Sequence, residues 1–294
     1  MRELDELFDA QGGVATTGQL RQLLTRRELE SLARRGELVK VWAGIWGRDD
    51  PGTLLRLRGL DLRTNEHVAM CLGTAALAYG FDTEDTIDLH VLNPDTGQLR
   101  ESDGLFVHRR EGAPLQVVDG RVATAPAWTA VEVARGLRRP RALATLDLAL
   151  RTGACDRRQL HLAAKAQAGR RGIVHVRDLI PLADARSESP MESEARLVMI
   201  DANLPAPELQ YEFIDLNRRK WRLDFAWPQY RVAVEYDGFE FHSSPDDLRK
   251  DRQKRAALSH LDWLLIGIVA DDVRRRPYEM TSGIDFELRR RKAA

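Results

Sequence analysis

Apolar residues recur at helical spacing in three short segments at the start of the chain. Leu4, Leu7 and Phe8 mark a first amphipathic helix, which Gly12-Gly13 stops. Thr16-Thr17 offers a cap to a second helix carrying Leu20, Leu23 and Leu24. Thr25 offers one to a third, with Leu29 and Leu32 on its inner face and Gly36 at its end. Leu38 to Trp42 and Ile45-Trp46 then read as two short strands around Ala43-Gly44. Three helices followed by a β-ribbon is the order of a winged helix-turn-helix, expected over residues 1–48.

Residues 53–187 mix the two periods. His67 to Tyr79 reads as a helix, Ile87 to Val91 and Leu105 to His108 as strands. Helical patterns follow at Ala127 to Leu137, Leu143 to Leu150, Leu160 to Ala166 and Val174 to Leu182, with no internal repeat. The polar, turn-rich segment Asp184 to Pro190 sets a second boundary. Beyond it, residues 188–294 predict a helix at Met191 to Asn203 and strands at Tyr211 to Leu216, Lys220 to Trp227 and Arg231 to Asp237. A helix at Asp246 to His260 and a buried strand at Trp263 to Val269 complete the pattern. The fold class is therefore α/β: a winged helix, a mixed α/β middle region and an α-β-β-β-α-β core.

The densest chemistry lies in the predicted hairpin. With Trp227 to Tyr230 as a four-residue loop, Ala226 faces Arg231 and Asp224 faces Ala233. Side chains alternate along a strand, so Ala233, Glu235 and Asp237 share a face with Asp224, while Val232, Val234 and Tyr236 look into a core. Three carboxylates on one face repel unless something positive sits among them, and oxygen ligands suit Mg²⁺. A wet acidic face is the plainer alternative, although acidic residues are depleted in strands. Glu192 and Glu194 open the preceding helix, where capping and the helix dipole also favour Glu.

Composition narrows the partners. The 294 residues suit about two domains, 43% are hydrophobic and 31% charged, so a core can form and compositional disorder is excluded. Lys+Arg and Asp+Glu are 45 each, which excludes a polybasic protein but not a local DNA-binding patch. Two cysteines, Cys71 and Cys155, argue against a disulfide scaffold or a structural zinc site. The acidic first ten residues are unlike a signal peptide and the apolar run Trp263 to Ala270 is too short for a bilayer, so a cytoplasmic protein without a membrane is expected.

SPMES, PELQ, RLDFAWPQYRVAVEYDGFEFH and DRQKRAAL, over roughly residues 188–275, resemble the nuclease-like domain related to very-short-patch-repair (Vsr-like) endonucleases of the PD-(D/E)XK superfamily. The resemblance implies metal ligands at Asp224 and Glu235, a helical acidic residue at Glu192, and polar partners at Gln210, Asp237, His242 and Asp251. Asp237 stands where many members carry a Lys that orients the attacking water, and His242 could supply part of that role. Asp262 and Gly267 stand where relatives usually have a Gly and a polar or basic residue. The implied activity is Mg²⁺- or Mn²⁺-dependent DNA cleavage, with the ion polarising the scissile phosphate and activating water.

The N-terminal stretch TTGQLRQLLTRRELESLARRGELVKVWAGIWG resembles the winged helix of AbiEi-type antitoxins, and APAWTAVEVAR with ALATLDLALRTG is similar to the segment that accompanies it. Between residues 21 and 40, six basic residues stand against three acidic ones. Arg26, Arg27, Arg34 and Arg35 fall on the later helix, which reads DNA in such units, unless this face is merely solvated or binds protein. Arg252 belongs to a basic cluster flanking the acidic site. The leading reading is a targeted, divalent-metal-dependent DNA endonuclease, and the alternative is a non-catalytic DNA-binding regulator of the AbiEi type that keeps a nuclease-like fold. DNA is the expected partner in both, with a homodimer and a toxin or defence-system partner as further possibilities.

Overall fold

Capping side chains decide where the N-terminal helices begin in the computed structural model, which describes every residue except 1, 82, 83, 85, 86, 95–97, 110, 111, 239–244 and 294. The elements run α1 (Arg2–Ala10), β1 (Val14–Thr16), α2 (Thr17–Leu23), α3 (Arg26–Arg34), β2 (Val39–Trp42) and β3 (Ile45–Gly47). Thr16 Oγ1 accepts from Gln19 N at 3.1 Å, and Thr16 N donates to Gln19 Oε1 at 2.8 Å. Thr25 and Glu28 repeat this reciprocal cap at the start of α3. The three strands pair in the order β1-β3-β2. Leu4, Phe8, Leu20, Leu29, Leu32 and Leu38 fill the space beneath the helices. This is the winged-helix arrangement that the sequence pattern predicts.

The wing does not close off a domain at residue 48. Val41, Trp42 and Ile45 share one core with Leu57 and Leu60 of α4 (Thr53–Thr64) and with Met70, Leu89, Val91 and Leu105. The chain divides into two compact units, Met1–Thr129 and Ala130–Ala294. The rest of the first unit is α5 (Leu72–Ala78), β4 (Leu89–Leu92), β5 (Leu105–His108), β6 (Leu115–Val118) and β7 (Arg121–Thr124). The helix expected from His67 starts only at Leu72, because Met70 bridges Val91 and Ala123 in extended pairing. The β6–β7 hairpin was not expected. Asp119 (φ 48°) and Gly120 (φ 75°) turn it through the left-handed region, the conformation that an Asp-Gly pair favours.

In the second unit, α6 (Pro126–Gly136, which starts at the end of the first), α7 (Arg139–Arg151), α8 (Arg157–Ala166) and α9 (Ile173–Leu179) precede α10 (Pro190–Asp201). Then come β8 (Glu208–Ile214), β9 (Lys220–Trp227), β10 (Val232–Tyr236), α11 (Pro245–His260), β11 (Leu264–Ile268), α12 (Ala270–Arg274) and α13 (Pro277–Lys292). From α10 to β11 the order is α-β-β-β-α-β, as the apolar pattern predicts. The sheet order is β11-β10-β9-β8, with β10 and β11 parallel and the other pairs antiparallel. Phe225, Trp227, Val232 and Val234 pack with Ala195 and Met199 of α10 and with Ile284 and Leu288 of α13. Ala226 and Ala233 pack in a second cluster with Ala257 and Leu258 of α11. Helices therefore cover both sheet faces.

Two expectations need correction. The segment Asp184 to Pro190 is no boundary but an interior part of the second unit, where Asp147 Oδ1 accepts from Asp184 N at 2.7 Å. The β9–β10 register also differs by two residues: Trp227 pairs with Val232, Ala226 with Ala233 and Phe225 with Val234. The loop still has four residues but starts one position later, at Pro228–Arg231, and turns through a 3-10 turn at Pro228–Tyr230 and Arg231 at φ 49°. An even shift keeps every side chain on its expected face.

Candidate functional site

Continued one step past the Phe225–Val234 pair, the register sets Asp224 against Glu235, closer than the diagonal placement that a loop at Trp227–Tyr230 would give. Asp224 Oδ2 accepts from the backbone N–H of Tyr236 at 3.0 Å. Ala233 and Ala226 on this face touch α11, so the face is covered rather than wet. Ala257 and Leu258 seat that helix, and Lys254, one turn earlier on the same side, reaches down to Glu235 Oε1 in an ion pair. Both partners are largely buried, with Lys254 19% and Glu235 16% exposed at the side chain. Burial raises the Glu235 carboxyl above its ordinary value, against the pull of Lys254. Burial likewise raises Asp224, against its backbone hydrogen bond and Lys254.

Asp237 lies at the end of the same strand. Its backbone N–H donates to Ile268 O at 2.8 Å, and Arg255 Nη2 stands 4.0 Å from its Oδ2. A Cβ on Gly267 would fall 2.6 Å from that oxygen. A larger residue at 267 would therefore require the Asp237 carboxylate to shift.

Glu192 enters from α10. Ser189 caps that helix by accepting from Glu192 N at 3.2 Å. Glu192 Oε2 in turn accepts from Glu188 N at 2.8 Å and from Gln210 Nε2 at 2.9 Å. The side chain both caps its helix and faces the strands. Gln210 is turned to it by a left-handed backbone (φ 53°), and its Oε1 is buried with no hydrogen-bond partner among the described residues. Burial, helped by the Asp224 charge, pushes the Glu192 carboxyl up to about 7. The folded state thus keeps a proton that the unfolded chain has lost above about pH 4.5, so stability falls as pH rises from about 4.5 to about 7 and levels off beyond. The full effect is about 3 kcal/mol. Melting curves in chelator across this range should converge on those of Glu192→Gln at acid pH and fall below them at pH 8. Parallel curves would refute the buried, protonated carboxyl.

The other expected residues are dispersed. Glu194 points away from the cluster and binds Arg274 (2.9 and 2.7 Å) and Arg141 (3.2 Å), a packing role. Asp251 is half-buried one turn before Lys254 on α11, and Arg252 is exposed on that helix. His242 lies outside the described residues. Arg26 pairs with Glu30 at 2.8 Å and Arg35 with Glu37, both on the exposed side of the winged helix. Arg27 and Arg34 are exposed two turns apart on α3, without a hydrogen-bond or ion-pair partner among the described residues. Lys254 was missed by sequence reasoning, which read Arg249 to Arg255 as flanking charge. Its spacing to Ala257 and Leu258 was the available signal.

Among the described residues, no three His, Cys, Asp or Glu side chains form a ready-made metal cage. The donor chemistry nevertheless suits a hard cation: Asp224 and Glu235 offer carboxylate oxygens, and Gln210 Oε1 is a buried acceptor with nothing to accept from. Among the described residues no helix is long and apolar enough to cross a membrane.

Residues 68–182 match the family model of the AbiEi antitoxin C-terminal domain. The chain is also 51% identical over 271 residues to MT2308 of Mycobacterium tuberculosis (strain CDC 1551 / Oshkosh) and, to the same extent, to Rv2248 of strain ATCC 25618 / H37Rv. Each alignment covers 92% of this chain and all of the relative, and both relatives are described only as uncharacterized proteins.

Proposed function

This chain belongs to one family with those two mycobacterial proteins, and we propose that it is a DNA-binding regulator of the antitoxin kind. The observation that carries the reading is the AbiEi antitoxin C-terminal domain over residues 68–182, placed directly after a winged helix. A toxin or defence-system protein is the partner that goes with it. On the winged helix, α3 with Arg27 and Arg34 is the surface for DNA, where phosphates draw cations and release counterions. Double charge reversal, Arg27→Glu with Arg34→Glu, should weaken DNA binding at least tenfold. It should also reduce the slope of log affinity against log salt by about one for each phosphate that is no longer neutralised. Unchanged affinity and slope would assign this face to protein contacts.

A second reading has its own observation, the buried group of Asp224, Glu235, Glu192 and Lys254. On this reading the second unit is a Vsr-like, PD-(D/E)XK-type endonuclease that hydrolyses DNA phosphodiesters. Asp224 and Glu235 would hold Mg²⁺ or Mn²⁺, with Gln210 and Asp237 beside them. The ion, when bound, supplies Lewis-acid polarisation of the phosphate and a more acidic water. The chain's own residues exclude bulk water, orient the donors through Tyr236 N and Glu188 N, and place Arg255 beside Asp237 for the phosphate charge. Plasmid nicking with Mg²⁺ or Mn²⁺, absent in chelator, separates the two readings. DNA binding without nicking leaves the regulator alone.

A further inference from the structure

We propose that Lys254 is a tethered counter-cation that occupies one cation position of the carboxylate site, so that the site takes a single divalent ion in competition with the lysine. The inference rests on the metal-binding part of the second reading above. Asp224, Glu235 and Asp237 bring three negative charges to one end of the β9–β10 hairpin. Lys254 is the cation that the fold sinks among them, and it sits on Glu235, one of the two residues proposed to hold the ion. Its position is set by packing: Ala257 and Leu258, one turn beyond it, seat α11 on the sheet. Arg255 meets Asp237 at 4.0 Å and Lys254 meets Glu235, so one uncompensated carboxylate remains and a divalent ion must displace a cation to bind. For that ion to reach Glu235 the ammonium must yield the oxygen. The ammonium would then swing off Glu235 on its flexible stem while its helix stays docked. The lysine therefore opposes metal entry and then adds positive charge beside the substrate, the work a second metal ion would otherwise do.

Asp237 stands two residues after Glu235 on the strand, so no strand-borne cation fills this place. A cation delivered from the helix also accounts for a buried ammonium on an element whose other basic residues, Arg249, Lys250, Arg252 and Arg255, are exposed. Like charges repel steeply at low local dielectric, so removing the ammonium should strengthen divalent binding even as it weakens any chemistry.

The experiment titrates the full chain with Mn²⁺ alone by calorimetry and follows melting with Mn²⁺ and with chelator, beside plasmid nicking, for wild type, Lys254→Met, Lys254→Gln and Lys254→Arg. Lys254→Met should bind Mn²⁺ at least about tenfold more tightly and show a larger metal-induced rise in melting temperature. Its nicking should fall about a hundredfold, and Lys254→Arg should keep wild-type affinity and part of the nicking. Lys254→Gln gives the same affinity reading should the Met variant misfold. Unchanged or weaker Mn²⁺ binding in the neutral variants overturns the inference, even if wild type nicks DNA. Tighter binding in the variants, with no nicking by wild type, sustains the counter-cation and removes only the endonuclease. Failure of all the proteins to bind Mn²⁺ overturns both.

Discussion

On the endonuclease reading, Asp224→Asn is expected to abolish divalent-dependent nicking, at least about a hundredfold, while leaving the fold and DNA binding intact. Asn keeps an oxygen to accept from Tyr236 N, so the backbone hydrogen bond survives. What disappears is a charge held in an unfavourable place: burial raises the Asp224 carboxyl, and the neighbouring Glu188 charge adds to the effect. In chelator the variant should therefore melt at the wild-type temperature or slightly above it. Mn²⁺ reverses the comparison, because an ion that binds only the native state stabilises it by mass action, about 2.7 kcal/mol at a hundred times its dissociation constant. Wild type should gain that shift and Asp224→Asn should not. Glu235→Gln should match it if both residues are ligands, and Glu192→Gln should retain more activity because Glu192 is already tied to Gln210 and Glu188. A metal-independent pair of melting curves with no nicking by either protein leaves the antitoxin-type regulator as the function. Residual nicking by the variant points to another site or a contaminant.

Local pattern and tertiary packing explain what could be read in advance. The winged helix was legible because each helix carries its own stop and start: Thr16 with Gln19, and Thr25 with Glu28, are complete local caps. The strands of the second unit were legible from alternation alone, and so were the faces of Asp224 and Glu235. The register was not, because a four-residue loop at Pro228–Arg231 differs from one at Trp227–Tyr230 by a single position, and the choice lies in the 3-10 turn and the left-handed Arg231. Met70 reads as helical from its Ala-rich neighbours, yet two strands far along the chain claim its backbone. The β6–β7 hairpin hid because Leu115 and Val117 are exposed, so its pattern promises a core that the fold does not use. Lys254 was illegible for a similar reason. A lysine in a run of basic residues reads as surface, and only the docking of α11 through Ala257 and Leu258 sinks that one position.

One ion pair between α7 and α10 is buried on both sides, and breaking it should have the largest effect on stability. Arg196 on α10 donates from Nη2 to Asp147 Oδ2 on α7 at 2.6 Å and from Nη1 to Leu182 O at 2.6 Å. The two side chains are 6% and 1% exposed. Asp147 lies in the segment matched by the AbiEi model, while α10 carries Glu192, so the pair ties that segment to the carboxylate site. Burial raises the Asp147 carboxyl, with Arg196 opposing the shift. Arg196→Met removes the opposing charge and leaves a carboxylate without its ion partner in the interior, which costs about 3–5 kcal/mol. For a unit of this size that is a fall in melting temperature of about 10 °C. Without Arg196 the Asp147 carboxyl should rise further, so the folded state takes up a proton as pH falls. The destabilisation should be greatest near pH 8 and smaller near pH 5. Asp147→Leu combined with Arg196→Met removes both charges, and it should recover most of the stability at pH 8, leaving the Leu182 carbonyl, the Asp184 N–H and the Ser193 hydroxyl without these partners. Thermal melts of wild type, the single and the double variant at both pH values form the cycle. A double variant as unstable as Arg196→Met at both pH values would show that the destabilisation comes from packing rather than from the buried charge.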